Sequence, residues 1–111
     1  MSNAMAYDFV EEHDDIAVEI LGEILDRITC KIITSIIDSP KTPLQICSEN
    51  KLPLSSTYKR IRKLCNVGLI SIEKINIDDK GKKVVFYKSK IKSLEFNLKE
   101  YRILLHSNKN D

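Results

Sequence analysis

The length, composition and charge of this chain exclude several classes of protein. Its 111 residues suit a single domain, and 42% hydrophobic with 31% charged residues is typical of neither a disordered chain nor a membrane protein. No apolar run approaches the about 20 residues of a transmembrane helix, and the acidic amino terminus does not resemble a secretory signal. Residues 1–4 resemble the remnant of an expression tag, which makes Met5 the predicted natural start.

Charge is distributed unevenly along the chain. Residues 1–27 carry a net charge of −7 and the remaining residues carry +9, although the whole chain is only +2. A basic region joined to an acidic one recurs in nucleic-acid-binding proteins, because phosphate contacts supply much of their sequence-independent affinity. We expect residues 5–15 to form an acidic amino-terminal arm and residues 16–89 to form the folded domain.

The first helical pattern spans residues 16–38. Apolar residues recur there at the three- and four-residue intervals of an amphipathic helix, at Ile16, Ile20, Leu21, Ile24, Leu25, Ile28, Ile32, Ile33, Ile36 and Ile37. Asp26 is a candidate cap for a helix that runs to about Asp38. Pro40 then stops the helix, because proline disfavours helical geometry in the residue before it.

Two further helix starts follow. Thr42 is a predicted cap, with Pro43 at the first helical position and Gln45 placed to complete a capping box. Ser55 is the predicted cap of another helix, which runs through Val67. Gly68 stands where a left-handed residue would end that helix.

Beyond Gly68 the apolar spacing changes to that of β-strands. Leu69, Ile70, Ile72 and Ile75 lie in a β-rich run. Residues 84–87 form the predicted return strand, and the Asp, Lys and Gly residues crowded between positions 76 and 83 predict the hairpin loop.

Residues 90–105 fit two patterns. A heptad, which favours a helix, is formed by Ile91, Leu94, Leu98, Tyr101 and Leu105. The alternation of Leu94, Phe96 and Leu98 instead suits a strand, and Phe96 and Ile103 interrupt the helical stripe. Local spacing leaves both structures open.

The helix predicted near residues 55–67 has an apolar and a polar face. On a helical wheel, the side that would pack on the core carries Thr57, Ile61, Leu64 and Cys65. The opposite side and its edges carry Ser55, Ser56, Tyr58, Lys59, Arg60, Arg62, Lys63 and Asn66. These cations, hydroxyls and amide suit base edges and phosphates in a major groove, as the second helix of a helix-turn-helix requires.

Several stretches resemble ArsR-like winged-helix regulators, particularly the small archaeal ones. Residues 52–64 followed by Val67-Gly68-Leu69-Ile70 resemble the recognition helix and the strand that follows it. Leu21-Gly22 with Arg27, Ile32 and Ile33 is similar to the first core helix, so that the match covers roughly residues 20–90. The resemblance implies an α+β winged helix-turn-helix fold with a three-helix core and a β-hairpin wing. It also implies a homodimer, and it favours a second β-hairpin for the element that follows.

The candidate DNA-binding residues come from the recognition helix and the wing tip. They are Ser55, Ser56, Tyr58, Lys59, Arg60, Arg62, Lys63, Lys80, Lys82 and Lys83. The three wing lysines lie beside Gly81 in a loop too polar to pack. The resemblance implies that the wing touches the DNA backbone or the minor groove.

Neither a metal site nor a cofactor is predicted. Metal-sensing members of the resembled family carry a Cys-x-Cys pair, whereas the matching stretch here, residues 42–47, contains Cys47 alone. His13 and His106 lie near opposite ends of the chain, where a single histidine is usually solvated.

The three cysteines do not form a disulfide framework. Cys30, Cys47 and Cys65 are spaced 17 and 18 residues apart, each within a helical pattern. We expect them to be small buried apolar side chains in a cytoplasmic protein.

The predicted function is sequence-specific binding of double-stranded DNA by a homodimeric transcription regulator. Pairing is expected to use the apolar stripe of residues 16–25 together with a carboxy-terminal element at residues 90–111. The stripe has one alternative, which is to fold back on its own core. Two other functions stay open: a winged-helix protein-interaction module without DNA contact, and a redox switch at Cys47 or Cys65. Catalysis is disfavoured, because no nucleophile–base set, paired carboxylates or phosphate-binding glycine loop is visible.

Overall fold

The computed structural model describes residues 6–7, 20–22, 26–100 and 102–108. The elements follow in the order β1 (Ala6–Tyr7), α1 (Arg27–Ser35), α2 (Pro43–Asn50), α3 (Leu54–Val67), β2 (Ile70–Ile77), β3 (Lys83–Ser89), β4 (Ile91–Asn97) and β5 (Arg102–Ser107). Residues 20–22 are helical as well. The predicted tag remnant and most of the predicted acidic arm lie outside the described residues.

Side-chain caps set the starts of α1 and α2. Asp26 caps α1 as predicted, accepting a 3.0 Å hydrogen bond from the backbone N–H of Thr29. The helix ends at Ser35 rather than near Asp38. Before α2, Thr42 and Gln45 form the predicted capping box, each side chain accepting a hydrogen bond from the other residue's backbone N–H.

The boundaries of α3 confirm one sequence prediction and correct another. Gly68 ends the helix with a left-handed φ of 86°, as predicted, and a non-glycine residue would be strained there. The prediction that Ser55 caps α3 is wrong. Pro53 already holds the extended cap conformation, so that the helix begins at Leu54 without a side-chain cap. Between α2 and α3 the chain turns at Lys51, whose φ is 57°.

The three helices enclose a core of branched aliphatic side chains. Five of its members are buried: Ile32, Ile36, Ile46, Ile61 and Leu64. Ile28 is half-buried and packs against them. Thr57 is also buried, so that α3 presents the predicted face to the core.

The apolar stripe predicted for dimerisation falls only partly within the described residues. Ile20 is 2% exposed and belongs to the chain's own core, and Leu21 packs against that core. At Ile20 the expectation of an intersubunit contact is therefore wrong, because a single chain already covers the side chain. Ile16, Ile24 and Leu25 lie outside the described residues.

Strands β2 and β3 form an antiparallel hairpin, which is the wing. A turn joins them, in which Gly81 has a φ of 78° and the Asp78 carboxylate accepts hydrogen bonds from the backbone N–H groups of Lys80 and Lys82. At the base, Lys41 and Tyr87 exchange two backbone hydrogen bonds, which tie β3 to the segment before α2.

A second hairpin follows, as the resemblance favoured. Strands β4 and β5 pair antiparallel, and β1 adds to the other side of β5, giving the order β1-β5-β4. Ile91, Ile103 and Leu105 belong to the same core as the helices. Only Lys90 separates β3 from β4, and its backbone N–H donates to the carbonyl of Leu69.

The chain therefore has an α+β winged helix-turn-helix fold with an additional carboxy-terminal β-hairpin. Helices α2 and α3 are the two helices of the motif, and β2–β3 is the wing. No helix among the described residues is long and apolar enough to cross a membrane.

Candidate nucleic-acid interface

Helix α3 presents a positively charged face to solvent, which we name the cationic face. Its members are all exposed and lie within a narrow arc of the helix: Ser55, Lys59, Arg62, Lys63 and Asn66. No aspartate or glutamate occurs anywhere in Leu54–Val67. The surface therefore offers cations together with a hydroxyl and an amide, the groups that contact phosphates and base edges.

Arg60 lies at one edge of α3 and is only half exposed. Its Nε donates to Asp26 Oδ2, and one terminal nitrogen donates to Asp26 Oδ1 over 3.1 Å. The same carboxylate caps α1 and accepts from the Thr29 hydroxyl at 3.0 Å. Hydrogen bonds from Arg60 and from the Thr29 backbone hold the pKa of Asp26 well below its ordinary value. Arg60 thus links α3 to the start of α1, and its contact with DNA stays a prediction.

The other predicted residues of α3 differ in exposure. Tyr58 is exposed at the edge opposite Arg60. Ser56 is only half-buried as a residue, but its Oγ atom is inaccessible and has no hydrogen-bond partner among the described residues. The Ser56 hydroxyl is therefore not presented to solvent on the cationic face.

The wing tip brings Lys80, Lys82 and Lys83 together as exposed side chains. Lys80 and Lys82 belong to the turn that the Asp78 carboxylate braces. Lys83, which the sequence predicts in the loop, is the first residue of β3. The contact of these three lysines with DNA stays a prediction.

A groove of about 230 Å³ runs between α3 and the wing, which we name the wing groove. It is lined by Tyr58, Ile61, Arg62, Cys65, Asn66, Ile72 and Tyr87. Burial raises the pKa of the Tyr87 hydroxyl, which therefore stays protonated and able to donate a hydrogen bond at neutral pH. The groove joins the cationic face to the wing, and none of its lining residues is acidic.

The wing also carries exposed apolar side chains that sequence reasoning did not assign to a site. Ile72, Ile75 and Ile77, which we name the isoleucine ridge, are 51%, 50% and 63% exposed. The sequence contains a signal of this arrangement, because the alternation of isoleucines shifts by one residue between Ile72 and Ile75. Such a shift in an alternating pattern is typical of a β-bulge. The structure has that bulge, between Ile72 and Lys74.

The cysteines differ in their surroundings. Cys47 is buried as expected and Cys65 is half-buried, whereas Cys30 is exposed on α1, so the expectation of burial is wrong there. Cys30 occupies the solvent side of α1, because Ile32 and Ile33 take the core side. The described residues hold no group of three His, Cys, Asp or Glu side chains placed to bind a metal ion.

Comparison with solved structures agrees with the winged helix-turn-helix fold described above. The structure of HlyU from Vibrio cholerae N16961, a winged helix-turn-helix fold, matches with a TM-score of 0.57. The match is 20% identical and covers 72% of this chain and 80% of that chain. A scan against protein-family models and a search of curated proteins each find no match. At this identity the likeness establishes the fold alone.

Proposed function

We propose that this protein is a transcription regulator that binds double-stranded DNA with sequence specificity as a homodimer. The observation that carries the proposal is the cationic face of α3, which is exposed, free of acidic residues and part of a helix-turn-helix. Lys59, Arg62 and Lys63 are placed to enter a major groove, where arginine and lysine read guanine and contact phosphates.

Selection of duplexes from a random pool tests sequence specificity. We expect the full chain to enrich a defined site, arranged as an inverted repeat if two protomers bind. Replacing Lys59 and Arg62 together by alanine should weaken binding to that site with little change in melting temperature, since both residues are exposed.

The matched control replaces Lys90 and Lys99 by alanine. Both lysines are exposed and lie outside α3, the wing and the edge strand β4, and this variant has the same change in net charge. Its affinity should stay close to that of the wild type at the same salt concentration. Equal losses in the two double variants would reject α3 as the recognition helix.

The proposed dimer relies on the carboxy-terminal sheet, since Ile20 is internal. Within the described strands, β4 is paired on one side only, and Leu104 is exposed on the adjacent strand. An unpaired strand edge with a neighbouring apolar side chain is a common surface for pairing two copies. Light scattering at micromolar concentration should give twice the chain mass, and a monomer mass would reject the dimer and the inverted repeat with it.

A further inference from the structure

A cavity of about 570 Å³ lies where the wing, the second hairpin and the end of α3 meet, and we name it the hairpin cavity. Ser71 and Lys88 line it from the wing, Ile91 and Leu105 from the second hairpin, and Gly68 from the end of α3. Its volume falls within the range of about 300–1,000 Å³ that is typical of sites for small molecules. None of its lining residues belongs to the cationic face or to the wing tip.

The polar groups of the hairpin cavity are available to a ligand. Lys88 is half-buried and Lys90 is exposed, and within the described part of the chain neither forms an ion pair. The hydroxyls of Ser71 and Ser107 line the same cavity, and no side-chain hydrogen bond among the described residues engages them. Glu73, at the bulge of β2, is the acidic member of the lining. The cavity therefore offers two cations and two hydroxyl groups against one carboxylate.

The floor of the hairpin cavity is apolar. Leu69, Ile91 and Leu105 line it, and each is less than 5% exposed and belongs to the core of the chain. A site with an apolar floor and a few polar groups buries the apolar body of a ligand while the polar groups orient its charged end. The cavity therefore suits a ligand with an apolar body and one negatively charged end.

The end of α3 limits the charge of that ligand. Val67 and Gly68 form part of the cavity wall, and the carbonyl groups at the carboxyl end of a helix carry partial negative charge. These carbonyls and Glu73 repel a phosphate monoester, with nearly two negative charges, more strongly than a carboxylate with one. Because two lysines face them, a single negative charge is still attracted. The balance favours a carboxylate over a phosphate.

The hairpin cavity and the wing groove lie on opposite faces of the base of the wing. Ser71 pairs with Lys88, and Ile72 pairs with Tyr87. Successive residues of a strand point to opposite faces, and the first pair lines the cavity whereas the second pair lines the wing groove beside α3. A ligand in the cavity therefore contacts the wing from the side that does not face the cationic face.

We infer that the hairpin cavity binds a small carboxylic acid with an apolar chain, and that this ligand regulates binding of DNA. The regulatory part rests on the proposed function. Such a ligand contacts the wing, the second hairpin and the end of α3 at once, so that it favours the orientation of the wing in which all three contacts are made. A ligand that binds one orientation more tightly than another shifts the population toward it, and DNA affinity changes with that population.

Titration with hexanoate in the absence of DNA tests the site. In two-dimensional NMR spectra of the full chain, we expect saturable shifts at the backbone amides of Ser71, Lys88 and Ser107. Replacing Lys88 and Lys90 together by glutamine should weaken hexanoate binding at least about tenfold. The melting temperature should stay near that of the wild type, because neither lysine is buried.

Lys80→Gln with Lys99→Gln is the matched control. These exposed lysines lie at the wing tip and in the turn between β4 and β5, and their replacement makes the same change in net charge. This variant should bind hexanoate as the wild type does. Equal weakening in the two double variants, or the absence of shifts at the cavity in the wild type, would overturn the inference.

Three further probes test the chemistry of the ligand on the wild-type protein. Hexylammonium has the same chain with the opposite charge, acetate has the charge without the chain, and hexyl phosphate has the chain with nearly two charges. Each should bind at least about tenfold more weakly than hexanoate. Binding of any of the three as tightly as hexanoate would overturn the assignment to an apolar carboxylate.

A second measurement tests regulation on the duplex selected with the wild-type protein. Saturating hexanoate should change the affinity of the wild type for that duplex at least about threefold at constant ionic strength, and should leave the Lys88 and Lys90 variant unaffected. Unchanged wild-type affinity with the cavity occupied would overturn the regulatory part. A wild type that binds no duplex would reject the proposed function and regulation with it, whereas hexanoate binding measured without DNA would still support the site.

Discussion

The wing hairpin and the carboxy-terminal hairpin contain similar apolar residues in different surroundings. Ile75 and Ile77 of the wing are exposed, whereas Ile103 and Leu105 of the second hairpin are buried in the core with the helices. Both hairpins alternate apolar and polar residues, so that their strand patterns alone do not separate them. The difference teaches that the second hairpin belongs to the folding unit, while the wing extends from it and has apolar side chains available for a partner.

The largest expected effect is on stability and belongs to the second hairpin. Leu105→Ala should lower the free energy of unfolding by about 2–5 kcal/mol, because it leaves a cavity in the shared core. Leu98→Ala is the control, since this residue in the turn of the same hairpin is 72% exposed. Chemical denaturation of both variants measures the difference. A small effect at Leu105 would mean that the hairpin is not part of the core.

The wing should respond in DNA affinity rather than in stability. Replacing Lys80, Lys82 and Lys83 by alanine should weaken binding to all duplexes alike. It should also flatten the plot of log affinity against log salt by roughly 0.9 for each lysine that meets a phosphate in the wild type. Binding titrations at several salt concentrations measure this slope. A changed sequence preference with an unchanged slope would argue against backbone contacts.

The ion pair between Asp26 and Arg60 joins α1 to α3, and removing it tests how much this link contributes to the stability of the helical unit. Asp26→Ala should cost about 1–2 kcal/mol, because it removes the cap of α1 and the partner of Arg60. The pKa of Asp26 is lowered in the folded chain, so its contribution is present at neutral pH and disappears as the pH falls below about 4. Wild type and variant should therefore converge in stability at acid pH.

Glu49→Ala is the control for that measurement. Glu49 pairs with Lys41 at 2.6 Å, but its side chain is half exposed and caps no helix. Its removal should cost at most about 1 kcal/mol. If both carboxylates gave equal losses, the role of Asp26 in joining α1 to α3 would be refuted.

The smallest effect is expected at the wing ridge. Ile77→Ala should change the free energy of unfolding by less than about 0.5 kcal/mol, since the side chain is mostly exposed. Thermal melts of Ile77→Ala and Leu105→Ala, measured under the same conditions, compare what the two hairpins contribute to stability. A loss of stability close to that of Leu105→Ala would show that Ile77 is covered in solution. The two hairpins would then not differ in the burial of their apolar residues.

Local chemistry in the sequence determined much of this architecture. Asp26, Thr42 with Gln45, and Gly68 mark helix boundaries correctly, because caps and left-handed turns depend on residues only a few positions apart. The apolar period of α3 also identified the side that packs on the core. The exposure of Lys59, Arg62 and Lys63 follows from that same period.

Only the tertiary structure decided which apolar residues are covered and which cations are engaged. Arg60 meets Asp26 across 34 positions of sequence, and no local pattern encodes that distance. Ile20 is buried and Ile77 is exposed, although each belongs to a regular apolar pattern. Periodicity defines a face of a helix or strand, but the burial of that face depends on which other elements pack against it.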